Sequence, residues 1–88
     1  MNIYVGSLHF KMSEAELKEL FEEYGEVASA KIIIDKYSGK SKGFGFVEMP
    51  NESEARKAIS ELNGAEVSGR HIIVNESIAQ QIRSLFSK

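Results

Sequence analysis

Lys42-Gly43-Phe44-Gly45-Phe46-Val47-Glu48-Met49 is the stretch that decides how the rest of the chain reads. Read as a strand, it alternates its side chains between two faces. Lys42, Phe44, Phe46 and Glu48 then share one face, and Gly43, Gly45, Val47 and Met49 share the other. A half-buried strand ordinarily turns its large apolar side chains inward. Here the rings point away from the small residues, which leaves them in water unless something planar lies on them. Nucleobases are planar in this way.

About 40 residues earlier, Ile3-Tyr4-Val5-Gly6-Ser7-Leu8 alternates in the same sense, with Ile3 and Val5 inward and Tyr4 outward. If the two strands are neighbours, Tyr4 adds a third ring to the same face. Between them, Ser13 and Glu16 form a capping box, Met12 is placed to staple onto Leu17, and Leu17, Leu20, Phe21 and Tyr24 make one apolar stripe. This predicts a helix that Gly25 ends. Val27 to Asp35 is rich in β-branched residues, and Tyr37-Ser38-Gly39-Lys40 supplies a turn into the octet, so a hairpin is expected. Beyond the octet, Asn51 and Glu54 open a second helix with the inner stripe Ala55, Ala58, Ile59 and Leu62, closed by Asn63-Gly64. Ser68-Gly69 turns into a last strand, expected over Arg70 to Asn75. The order strand-helix-strand-strand-helix-strand is the split βαβ arrangement. The fold class expected is α+β, a ferredoxin-like sandwich with a four-stranded antiparallel sheet and two helices on one face.

Eighty-eight residues with 42% apolar content suffice for one domain with one modest core. The net charge of −2 is unevenly spread: residues 11 to 26 carry two lysines against six glutamates, and residues 31 to 42 carry four lysines against Asp35. Positive charge therefore collects beside the aromatic strand, while the acidic helix reads as a solvated back face. The sequence has no cysteine, which excludes disulfides and thiolate metal sites and suits a reducing compartment such as the cytoplasm. No apolar run approaches the roughly 18 residues of a membrane span, and no signal segment opens the chain.

The octet and the Ile3–Leu8 segment together resemble the RNA recognition motif. The octet fits the pattern Lys/Arg-Gly-Phe/Tyr-Gly/Ala-Phe-Val-x-Phe/Tyr except at its last position, where Met49 replaces an aromatic on the core side. Ser7 stands where the family usually carries asparagine. The resemblance runs from about Asn2 to Glu76, and without a glycine-rich or arginine-rich tail the chain is most similar to the short single-domain RNA-binding proteins of bacteria. It implies a domain over residues 1–76 that binds single-stranded RNA, with Tyr4 and Phe46 beneath successive bases and Phe44 against sugar rings. Lys42 and Lys31 are then expected at phosphates or base edges. Asn2 on the first strand and His71, Ile73 and Asn75 on the last complete the expected RNA-contacting set. With two to four phosphates neutralised, log affinity should fall with log salt at a slope of about −1.5 to −3.

Residues 77–88 read as an amphipathic helical extension, capped by Ser77 and Gln80 and striped by Ile78, Ile82, Leu85 and Phe86. So short a helix needs a surface to dock on. Two surfaces are expected: the sheet face, or a second copy of the chain in a homodimer. From this follows the competing reading, a protein-interaction module in which Tyr4, Ile33, Phe44, Phe46 and Ile73 form a covered apolar patch. An enzyme is not expected. His9 and His71 lie on different elements with no nucleophile or oriented carboxylate beside them, and no residue cluster has metal-ligand spacing, so no cofactor is called for.

Overall fold

The computed structural model describes residues 1–77. In chain order the elements are β1 (Asn2–Gly6), α1 (Glu14–Glu22), β2 (Ser29–Ile34), β3 (Ser41–Glu48), α2 (Glu52–Leu62), β4 (Glu66–Val67), β5 (Arg70–His71) and β6 (Ile73–Glu76). Four strands form one antiparallel sheet in the order β2-β3-β1-β6. The two ring-bearing strands, β1 and β3, are therefore adjacent and central.

Local chemistry starts each helix where the sequence places it. Ser13 accepts from the Glu16 N–H while the Glu16 carboxylate accepts from the Ser13 N–H, closing the capping box of α1. Asn51 Oδ1 accepts the Glu54 N–H at the start of α2. Both helices pack on one face of the sheet, α1 against β2 and β3 and α2 against β6. Between the layers lie Ile3, Val5, Leu17, Phe21, Ile32, Val47, Met49, Ala55, Ala58, Ile72 and Val74, all buried. Met49 is fully enclosed, so an unbranched side chain fills the core position that an aromatic would otherwise take.

The last strand is corrected. It is not continuous from Arg70 to Asn75: Arg70–His71 pairs with Glu66–Val67 as a separate ribbon, and only Ile73–Glu76 joins the main sheet. The break falls at Ile72, whose N–H donates to the Ala65 carbonyl and whose carbonyl accepts the Gly64 N–H. Both backbone groups of Ile72 are thus taken by the segment leaving α2, and none remains for the main ladder at that position. The ribbon itself turns at Ser68-Gly69, both at positive φ (52° and 83°), as a tight two-residue hairpin requires.

The extension expected over 77–88 lies outside the described residues apart from Ser77, whose N–H donates to the Asn2 carbonyl at 2.7 Å. The helix, and the homodimer contacts through Ile78, Ile82, Leu85 and Phe86, fall beyond that point.

Candidate nucleic-acid interface

Strand registry fixes the site. Tyr4 faces Phe46 on one side and Asn75 on the other, and Phe46 faces Lys31. Lys31, Phe46, Tyr4 and Asn75 therefore stand in one row across all four strands, on the face away from the helices. One step along, Ile73 lies opposite Gly6. At the other end Glu48 lies between Asn2 and Ser29.

The three rings form a nearly equilateral cluster. Centroids are 6.0 Å apart for Tyr4 and Phe44, 5.9 Å for Tyr4 and Phe46, and 6.1 Å for Phe44 and Phe46. The two contacts of Phe46 are edge-on and that of Tyr4 with Phe44 is tilted, arrangements that aromatic quadrupoles favour. Each ring is half-buried by its neighbours and keeps surface open to solvent. Gly6 makes the layout possible. A side-chain Cβ there would lie 2.6 Å from the Tyr4 Oη and 2.9 Å from its Cε2, so the Tyr4 ring lies over the space that glycine leaves. Gly45 serves the opposite layer: a Cβ there would run into the backbone carbonyl of Lys31, with Ile32 Cα at 3.1 Å. Its absence lets β2 and β3 close up where their register shifts between Ile32 and Ile34.

That irregularity interrupts the alternation of the octet at its first residues. Gly43 has φ +84°, its N–H donates to the Ser41 hydroxyl and its carbonyl accepts from the Leu8 N–H. Lys42 thus sits beyond the bulge, close enough to the β2–β3 hairpin for its charge to act on Asp35. The Asp35 carboxyl is held below its usual value chiefly by N–H donation from Ser38 and then Tyr37, with Lys42 adding to the effect. Among the described residues the two ion pairs, Lys18–Glu22 and Arg56–Glu52, lie within the helices. Lys31 and Lys42 belong to neither.

Of the expected residues, Tyr4, Phe44, Phe46, Lys31, Asn75, Asn2 and Ile73 come together on the sheet face, and Ile73 is 47% exposed. His71 does not join them. It lies on β5, off the four-stranded sheet, and its Nδ1 is 3.0 Å from the Gly64 carbonyl. Alternation through Ile72 placed it on the platform; the break at Ile72 moves it to the ribbon. Ile33 is half-buried beside the bulge.

The structure adds residues that the sequence reading passed over. In the loop after β1, the His9 and Phe10 rings stack at 4.8 Å and 15°, with Lys11 Nζ 5.8 Å from the Phe10 centroid. Arg70 Nε donates to the Ser7 carbonyl at 3.3 Å, tying the same loop to the ribbon. The available signal was an aromatic pair in a segment with no strand or helix period to bury it.

Comparison with known proteins agrees with this geometry. The family model described as the RNA recognition motif matches residues 3–73. The chain is 45% identical over 84 residues to the 29 kDa ribonucleoprotein, chloroplastic, of Arabidopsis thaliana, a match covering 96% of this chain and 25% of that protein. It is 43% identical over 84 residues to the putative RNA-binding protein RbpA of a Synechocystis strain, covering 96% of this chain and 83% of that one. Among solved structures, the crystal structure of RNA binding protein PG1 superposes with a TM-score of 0.86 at 50% identity, covering 89% and 94% of the two chains. The chain spans between a quarter and about half the length of the first curated relatives it matches.

Proposed function

Because the chain belongs to the RNA recognition motif family, we propose that it binds a short run of single-stranded RNA on the open face of its sheet, by base stacking with modest electrostatic help. The observation that carries this reading is the three-ring cluster of Tyr4, Phe44 and Phe46, turned away from the core on two central strands. Each base stack contributes roughly 1–3 kcal/mol. Stacking on Phe46 and Tyr4, packing of a sugar against Phe44 and the polar contacts of Lys31, Lys42 and Asn75, less the cost of ordering the strand, together support affinity near the micromolar level. A duplex hides the base faces that the rings need, so the single strand is the ligand.

In the row across the sheet, Phe46 and Tyr4 take successive bases, and Lys31 and Asn75 flank them at opposite ends, the ammonium toward a phosphate and the amide toward a base edge. Asn2 and Ile73 bound the platform along the strands. Lys42 contributes from the hairpin side as a looser phosphate contact. The role is binding rather than catalysis, and a cytoplasmic setting is part of the same reading, since the cysteine-free sequence suits a reducing compartment.

The test is fluorescence anisotropy of the full chain with a randomised pool of short single-stranded RNA, with Phe46→Ala as its pair. Micromolar binding lost in the variant is expected. Absence of binding by the intact chain would overturn the proposal and bring forward a protein partner for the sheet face.

A further inference from the structure

Phe10 is 58% exposed, yet it is not on a loose segment. It occupies a turn closed by donation from the Met12 N–H to the His9 carbonyl at 3.0 Å. The Lys11 N–H donates to His9 Nδ1 at 3.1 Å, which fixes the plane of the imidazole against which Phe10 stacks. The loop is anchored on both sides: before the rings Leu8 is buried in the core, its N–H donates to the Gly43 carbonyl at 2.8 Å and Arg70 holds the Ser7 carbonyl, and after them Met12 packs against the core. The cost of ordering this loop is thus met by the fold before any ligand arrives. Tyr37 is more exposed still, at the tip of the β2–β3 hairpin, but among the described residues no ring stacks on it.

Position matters as much as rigidity. The loop leaves β1 at Gly6, the residue over which the Tyr4 ring lies. Three residues separate Gly6 from Phe10, so the loop aromatic lies within about 14 Å of that end of the platform. Lys11 keeps its ammonium near the Phe10 ring on a long stem that can turn to a phosphate.

We infer that His9 and Phe10 form a second stacking site, for a base of the same RNA strand after it has passed the Gly6 end of the platform, with Lys11 meeting the adjoining phosphate. This rests on the platform reading above. A strand long enough to reach the loop gains one further stack, and a strand confined to the sheet does not.

The experiment compares Phe10→Ala, Phe10→Trp and Phe46→Ala with the unmodified full chain, on randomised pools of RNA trinucleotides and RNA octanucleotides. Phe10→Ala is expected to weaken octanucleotide binding about fivefold or more while leaving trinucleotide binding within about twofold, and Phe10→Trp to retain both. Lys11→Gln is expected to make the octanucleotide salt slope shallower by about 0.7. A fluorescent adenine analogue walked along the octanucleotide should show a quenched position that Phe10→Ala relieves. Unchanged octanucleotide affinity in Phe10→Ala would overturn the loop site while leaving the platform standing. Equal losses at both lengths would also overturn it, by showing that Phe10 acts on the platform itself. If the unmodified chain binds neither pool, the platform reading fails and the loop site with it.

Discussion

Two glycine-to-alanine changes, each adding one methyl group, should have opposite consequences. At Gly6 the three atoms nearest the new Cβ all belong to the Tyr4 ring, Oη at 2.6 Å, Cε2 at 2.9 Å and Cζ at 3.0 Å. That ring is a half-exposed side chain free to swing outward, so the backbone need not move. The stability at risk is the contact of Tyr4 with Phe44 and Phe46, about 0.5–1.5 kcal/mol per ring pair. It is offset in part by the roughly 0.4–1 kcal/mol that alanine gains over glycine through the unfolded state. Gly6→Ala should therefore cost at most about 2.5 kcal/mol if both ring pairs are lost, and close to nothing if the ring only tilts. A tilted Tyr4 no longer presents its face, so RNA affinity should fall by up to one stack, about 1–3 kcal/mol or roughly 5- to 150-fold. At Gly45 the same methyl meets the Lys31 carbonyl and backbone atoms of Lys31 and Ile32. Strands β2 and β3 must part to admit it, at a cost of about 1–3 kcal/mol in stability. Urea unfolding reads the stability and anisotropy reads the affinity. The reasoning is refuted if Gly6→Ala binds RNA as tightly as the unmodified chain, or if it unfolds more easily than Gly45→Ala.

Ser7 is held at φ 58°, a conformation asparagine tolerates better than serine; Ser7→Asn should raise the melting temperature by an amount equivalent to a few tenths of a kcal/mol, and a fall would show that the loop uses the hydroxyl. Asn63 Oδ1 accepts the Val74 N–H at 3.0 Å in a partly buried setting, so Asn63→Ala should cost about 1–3 kcal/mol in urea unfolding. An unchanged midpoint would mean that water replaces the amide. Glu16 is held below the usual carboxylate value chiefly by the Ser13 N–H and then the Ser13 hydroxyl, and Asp35 by Ser38 and Tyr37. Lowered folded values mean that both carboxylates stabilise the fold above the ordinary carboxylate range and lose that contribution as pH falls through the lowered values. Stability should decline on the acid side, and Ser13→Ala should make that decline shallower; an unaltered acid profile would remove Glu16 from the explanation.

The features legible in the sequence were those with a period or a local rule. Phe44, Phe46 and Tyr4 could be assigned to one face because alternation needs only the strand direction, and Ser13 with Glu16 or Asn51 with Glu54 could be assigned because caps act over three residues. What escaped depended on residues far apart in the chain. The break at Ile72 arises from Gly64 and Ala65, which take its backbone groups, and it carried His71 off the platform. Glycine at position 45 owes its place to the approach of the Lys31 carbonyl, visible only once the β2–β3 bulge is placed. Phe10 carried no period at all, and its stack on His9 follows from the turn that holds both.

A sheet of four strands has two open borders, and each exposes backbone donors to which another chain could add itself as a further strand. On β6 the Asn63 side chain takes the Val74 N–H, and on β2 the Glu14 carboxylate of α1 takes the Ile32 N–H at 3.0 Å. The first residue of α1 and the residue that follows α2 thus stopper the two rims near their midpoints. A strand docking edgewise would have to displace a side-chain acceptor that is already in place, whereas among the described residues the rings keep surface open to solvent. The fold thereby channels association away from its perimeter and onto its flat face, and replacing Glu14 or Asn63 should expose the chain to self-pairing before it alters what the rings can hold.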